Sequence, residues 1–162
     1  MPRPHVGQRA PDFTLPDARG VPVRLGALLE RKVVVLYFYP KDETAGCTVE
    51  ACAFRDAYED FSAAGAEVVG VSRDDGASHA SFAAHHQLPF TLLSDLDGAV
   101  HELYGVQSRL GGLLRDRVTF VIDRSGIVRK EFSSMIDMRG HVKSALPVVR
   151  DLVGAGTTPA GP

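Results

Sequence analysis

The chain has no tryptophan, three methionines and two cysteines among 162 residues. Two cysteines cannot build a disulfide-stapled scaffold, and they lack the further Cys or His ligands at motif spacing that a structural zinc site needs. Long apolar runs are also missing: the longest, Val33 to Tyr39, is far too short to cross a bilayer. Neither sign of charge dominates. The formal net charge of -2 gives no general attraction to nucleic acid or to an anionic membrane. Met1 to Gly7 leads into no apolar run, so no secretory signal is expected and the cytosol is the expected compartment. There a cysteine pair points to catalysis or redox sensing rather than to a structural staple.

What is present fits one α/β domain. Apolar residues make up 44% and charged residues 23%, the balance of an ordinary globular protein long enough to bury a core. No internal repeat or composition shift marks a second domain, so residues 1–153 are read as one domain and 154–162 as a disordered tail. Ala10 to Leu15 and Val21 to Leu25 read as an N-terminal hairpin with prolines at edge positions, and Leu25 to Glu30 as one helical turn. Lys32 to Tyr39, Val-rich and unbroken, suits a central strand buried on both faces. A helix is expected from about Gly46 to Ala64, closed by Gly65. Strands follow at Ala66–Ser72, Leu88–Leu93, Arg117–Ile122 and Ile127–Phe132, the last two joined by the turn Asp123–Gly126. Helices are expected from Asp74–Gly76 to His86, Asp97 to Tyr104 and Met138 to Leu152, with loop from Gln107 to Leu114. Strands alternating with helices imply a central sheet covered on both faces.

The chemistry concentrates between Tyr37 and Cys52, which holds both cysteines and runs from the central strand through a turn into a helix. A cysteine at a helix start faces unpaired N–H groups and the positive dipole end, so a lowered thiol pKa is expected for Cys47. Thr44, three residues earlier, is placed to reach the sulfur or a substrate. Cys47, Ala51, Phe54, Tyr58 and Phe61 share one helix face, read as core, while Cys52 falls among Arg55, Asp56 and Glu59 on the polar side. Positions five apart on a helix are rotated by ~140° and separated by ~8–9 Å. A disulfide needs Cα atoms within roughly 7 Å. Cys47 and Cys52 therefore either never pair or pair only after the first turns of the helix unwind.

Pro40-x-x-x-Thr44-x-x-Cys47 resembles the active-site pattern of the peroxiredoxins. Phe38 to Asp42, Gly46-Cys47-Thr48, Ala51 to Asp56, Gly7-x-x-Ala10-Pro11-x-Phe13-x-Leu15 and Arg117 to Asp123 are similar to the bacterioferritin-comigratory, or PrxQ, branch. The similarity runs from about residue 5 to 153; Ala45 departs from it, standing where the branch usually has proline. The resemblance implies a thioredoxin-like fold and a thiol peroxidase acting on hydrogen peroxide and organic hydroperoxides. It implies that Cys47 is the peroxidatic cysteine and Cys52 the resolving one, forming an intramolecular disulfide. Thr44 would hydrogen-bond the peroxide or sulfur, Pro40 shield the pocket and Arg117 hold thiolate and peroxide, with Glu50 orienting Arg117. Thioredoxin or a similar dithiol is the implied reductant, no metal, haem or flavin is required, and a monomer is expected.

Other readings compete. Arg115 is the alternative to Arg117; alternation places Arg117, Thr119 and Val121 on one strand face. His85-His86 at a helix end reads as solvated surface, and His5, His79, His101 and His141 are scattered. Gly111-Gly112-Leu113 is similar to a loop of overoxidation-prone peroxiredoxins, but no C-terminal Tyr-Phe accompanies it. A thiol–disulfide oxidoreductase, or a peroxide-sensing relay in which oxidation unfolds the helix, are the alternative functions on the same fold.

Overall fold

The computed structural model describes residues 3–106, 108–109 and 114–154. The Gly111-Gly112-Leu113 segment and the expected tail beyond Gly154 lie outside the described residues. The elements in chain order are β1 (Thr14–Pro16), β2 (Pro22–Arg24), α1 (Leu25–Leu29), β3 (Val33–Phe38), α2 (Ala45–Asp56), α3 (Tyr58–Ala63), β4 (Ala66–Ser72) and α4 (Gly76–His86). They continue with β5 (Thr91–Ser94), α5 (Ala99–Leu103), β6 (Ser108–Arg109), β7 (Leu114–Arg115), β8 (Val118–Ile122), β9 (Val128–Ser133) and α6 (Met138–Gly154).

The main sheet has the order β5-β4-β3-β8-β9. β3 runs parallel to β4 and antiparallel to β8, so the sheet is mixed and β3 is its middle strand. Every residue of β3 is buried, as its apolar run requires. Its side chains alternate between two cores. Val34, Leu36 and Phe38 join Phe13, Leu25, Tyr104 and Phe120 on one face. Val35, Tyr37 and Tyr39 join Cys47, Phe54, Phe61, Phe82 and Val149 on the other. The expected N-terminal hairpin is present, with Thr14 opposite Arg24 and Pro16 opposite Pro22.

Three local expectations are corrected. The helix expected from Gly46 to Ala64 is two helices, because the backbone leaves helical angles at Ala57 (φ -96°, ψ 1°). The two pieces have different partners: α2 lies chiefly against α6 and α3 against β4. Beyond the break, Tyr58 donates its hydroxyl to Glu67 on β4 at 2.9 Å, while Phe54 and Phe61 stay buried. The helix expected from Asp97 is shorter and starts at Ala99, after Gly98 in the left-handed region (φ 76°); Asp95 still accepts from the N–H groups of Val100 and His101. Within the expected loop from Gln107, Ser108–Arg109 pairs with Leu114–Arg115.

Phe54 ties α2 to the sheet. It is fully buried and stacks on Tyr37 of β3, with ring centroids 4.5 Å apart. Phe54→Ala is expected to cost about 3–5 kcal/mol of stability, read as a lower urea midpoint with an unchanged m-value.

Candidate active site

Half-buried Pro40 follows β3 and turns the chain. The turn is pinned from behind. Asp42 is buried, accepts from the Tyr39 hydroxyl at 2.6 Å and from Ser78 Oγ at 2.8 Å, and lies 2.7 Å from His79 Nδ1. The Asp42 N–H donates to Asp74 at 2.8 Å. Glu43 then takes a left-handed conformation (φ 62°) that sets the chain direction into α2. Thr44 is the N-cap residue, yet its hydroxyl makes no capping bond and donates back to the Lys41 carbonyl at 2.9 Å. Cys47 occupies the first turn of α2 with 1% of its surface exposed.

Arg117 sits one residue before β8 and is buried. Its Nη1 donates to Cys47 Sγ at 3.2 Å and to Glu50 Oε1 at 2.8 Å. The approach depends on Gly46: a β-carbon there would lie 3.0 Å from Arg117 Nη2 and 3.0 Å from Met138 Cε. Arg117 is therefore the arginine at the thiol. The side chain of Arg115 lies outside the described residues.

The lowered thiol pKa expected at a helix start is not what the structure shows. Burial is the largest influence on Cys47 and pushes its thiol up. The charge of Arg117, the Thr44 hydroxyl, the Lys41 backbone and the Arg117 hydrogen bond pull it down without offsetting the burial. The same competition acts on Glu50, whose carboxyl burial pushes up to about 8 against the pull of Arg117. Burial alone would lower Arg117, but the charges of Glu50 and Cys47 hold it above its ordinary value.

Behind Glu50 stands His141 of α6, which the sequence reading left among scattered histidines. Its Nε2 lies 3.0 Å from the Ser134 carbonyl, its Nδ1 2.7 Å from Thr119 Oγ1, and Glu50 Oε2 is 3.4 Å from Nδ1. This arrangement assigns the proton to Nε2 and makes Nδ1 the acceptor of the Thr119 hydroxyl. Burial pushes the imidazole down to about 4, so it is neutral beside Arg117. Glu50, expected beside Arg117 from the resemblance, and His141, which was missed, both carry a detectable signal. Glu50 shares the buried stripe of Cys47 and Phe54, and His141 that of Ala145 and Val149. A charged or titratable residue on a buried stripe needs a partner. His79 carries the same signal, sharing the buried face of α4 with Phe82.

Cys52, expected on the polar face, is half-buried, and both cysteines are free thiols. They lie in one intact helix, so the geometry keeps them apart in this conformation.

Arg117→Gln should raise the Cys47 pKa further and slow alkylation by iodoacetamide at neutral pH roughly ten-fold, since one pKa unit is a factor of ten in thiolate. A rate equal to wild type would exclude the electrostatic role. Glu50 also links stability to pH. Its folded pKa lies above the unfolded value, so its contribution is complete below about 4.5 and is lost as pH rises towards about 8. His141 acts oppositely: its contribution is present above about 6.5 and lost as pH falls towards about 4. Between pH 6.5 and 8 the Glu50 effect stands without the opposing one of His141. Glu50→Gln should therefore flatten the decline of stability across that interval, measured by urea unfolding at both ends.

Residues 6–131 match the family model described as AhpC/TSA. The chain is 49% identical over 144 residues to chloroplastic peroxiredoxin Q of Arabidopsis thaliana, covering 89% of this chain and 66% of that protein. It thus spans about two thirds of that relative's length. Among solved structures it is similar to peroxidoxin BcpB of Mycobacterium tuberculosis, with TM-score 0.86, 41% identity, and 93% of this chain and 99% of the other covered. It is also similar to the Xanthomonas campestris bacterioferritin comigratory protein, studied for alkyl peroxide reduction, with TM-score 0.77, 31% identity and coverage of 85% and 90%. A buried cysteine under an arginine, at the start of a helix on a mixed five-stranded sheet, sits within these matches, and the chain belongs to the AhpC/TSA family of peroxiredoxins, the thiol-dependent peroxidases, in its peroxiredoxin Q branch.

Proposed function

We propose that the protein reduces hydrogen peroxide and organic hydroperoxides at Cys47 and resolves the product through Cys52. The observation that carries this reading is the 3.2 Å hydrogen bond from Arg117 to the Cys47 sulfur inside a buried site. In the first step the Cys47 thiolate attacks the terminal peroxide oxygen. The S–O bond forms, the O–O bond breaks, the leaving oxygen takes a proton, and Cys47 becomes a sulfenic acid. The peroxide gains the two electrons that the sulfur loses. Arg117 faces both the thiolate and the charge that develops on oxygen, which is where a preorganised cation lowers the barrier. Thr44 offers a hydroxyl to the sulfur or the peroxide, and Pro40 screens the site from water.

The second step needs motion. Cys52 must approach the sulfenic sulfur, form the S–S bond and release water. While α2 is intact this approach is closed. Unwinding the first turns of α2 brings the two together; it has to uncover the buried Cys47, Glu50 and Ala51, whereas Cys52 is already half-buried. Thioredoxin or a similar dithiol then reduces the disulfide, returning two thiols. The organic hydroperoxide reading is supported by the alkyl peroxide reduction activity of the similar Xanthomonas campestris protein. We further propose that the protein works as a monomer in the cytosol.

Stopped-flow mixing of the reduced protein with hydrogen peroxide tests the first step. Loss of one thiol per peroxide in the first phase and of a second as the disulfide forms is expected, both absent in Cys47→Ser; unchanged reactivity of that variant would sink the assignment. Cys52→Ser should consume one equivalent and stop at the sulfenic acid. Normal cycling of Cys52→Ser with thioredoxin would show that another thiol resolves the intermediate.

A further inference from the structure

Outside the active site, two groups of potential metal ligands occur among the described residues. The buried group, Asp42, Asp74 and His79, has its donor atoms engaged. Asp42 meets Tyr39, Ser78 and His79, Asp74 meets Ser72 Oγ and the Asp42 N–H, and His79 Nε2 lies 2.9 Å from the Leu93 carbonyl. It is a satisfied network and offers an ion nothing.

The second group differs. Glu43, in the turn between β3 and α2, sets its carboxylate against two imidazoles from the C-terminal end of α4. Oε2 lies 3.0 Å from His85 Nδ1, and Oε1 lies 3.0 Å from His86 Nε2. The two rings are tilted by 35° with centroids 4.1 Å apart, so one nitrogen of each points at the same carboxylate. The ligand atoms all lie within 4.8 Å of one another. Tetrahedral ligands at zinc-type bond lengths stand ~3.3 Å apart. The two carboxylate–imidazole separations are already near that value, and the three ligand atoms, all on side chains at an open surface, have little distance to close around an ion. Solvent reaches the open side, with the His85 and Glu43 side chains 65% and 42% exposed and His86 17% exposed. Two imidazoles and one carboxylate suit zinc and its neighbours rather than magnesium or calcium.

We propose that Glu43, His85 and His86 bind a divalent transition-metal ion of the zinc type, which ties the turn ahead of Cys47 to α4. The corner is already joined by Arg55 of α2, which donates to the His86 carbonyl at 2.9 Å, and by Asp42 of the turn, which meets Ser78 and His79 of α4. The ion adds a further tie, at the Glu43 end of the turn. Any unwinding at the start of α2 must release that turn, so bound metal slows the pairing of Cys47 with Cys52. This last consequence rests on the resolution step proposed above; the site does not.

Cobalt(II) titration of the reduced protein tests the site. Visible d–d bands without a thiolate charge-transfer band are expected, because the ligands are nitrogen and oxygen. Glu43→Gln, which keeps shape and exposure, and His86→Ala should each weaken binding roughly ten-fold or more. Binding equal to wild type in both variants, no saturable binding, or a thiolate band in step with binding overturns the site. Disulfide formation after peroxide, followed with and without zinc(II), tests the tie. Saturating zinc should slow it roughly ten-fold in wild type but not in the His85→Ala/His86→Ala variant. Equal rates in wild type with and without zinc overturn the tie. If no disulfide forms even without zinc, the resolution step fails instead, and the cobalt bands still decide the site.

Discussion

The Arg117 guanidinium is the constraint on which the active site depends. A buried guanidinium needs partners for its N–H groups, and one nitrogen of this one has two, the Cys47 sulfur and Glu50. A buried thiol, equally, gains little from a helix start once water has been removed. Arginine at 3.2 Å draws the thiol pKa down against that burial, without cancelling it. The surrounding chain is shaped to permit that contact. Gly46 leaves room for the guanidinium, β8 delivers it from the sheet, and Phe54 holds α2 down on Tyr37 beneath it.

Around this pair the structure separates charged from neutral groups. His141 is neutral because burial and the nearby Arg117 both disfavour a second cation. Thr119 and the Ser134 carbonyl then satisfy both of its nitrogens. A different network, centred on Asp42 and His79, anchors the turn from the side of α4. The reactive sulfur is thus reached through two independent supports, one electrostatic from β8 and one from the turn. A rearrangement of α2 has to disturb the Arg117–Glu50 contact as well as the first helical turn, so the chemistry and the motion share one set of interactions.

Much of this was legible in the residue order. The unbroken run at Val33–Phe38 is the middle strand because only a strand covered on both faces tolerates it. Pro40, Thr44 and the two cysteines on one helix follow from turn and helix chemistry. Arg117 was selected by resemblance; its spacing alone did not separate it from Arg115. The break at Ala57 left no trace, since the apolar spacing of Phe54, Tyr58 and Phe61 is that of an uninterrupted helix.

The sequence by itself determined the order of the five main-sheet strands along the chain, the burial of β3 on both faces and the placing of the cysteines five apart on one helix. These depend on periodicity and turn chemistry, which act over a few residues. Tertiary structure alone decided the direction of the Cys47 pKa, the recruitment of His141 and the meeting of Glu43 with His85 and His86. Each joins groups far apart in the chain through burial and distance, and neither quantity exists until the sheet and its helices are packed.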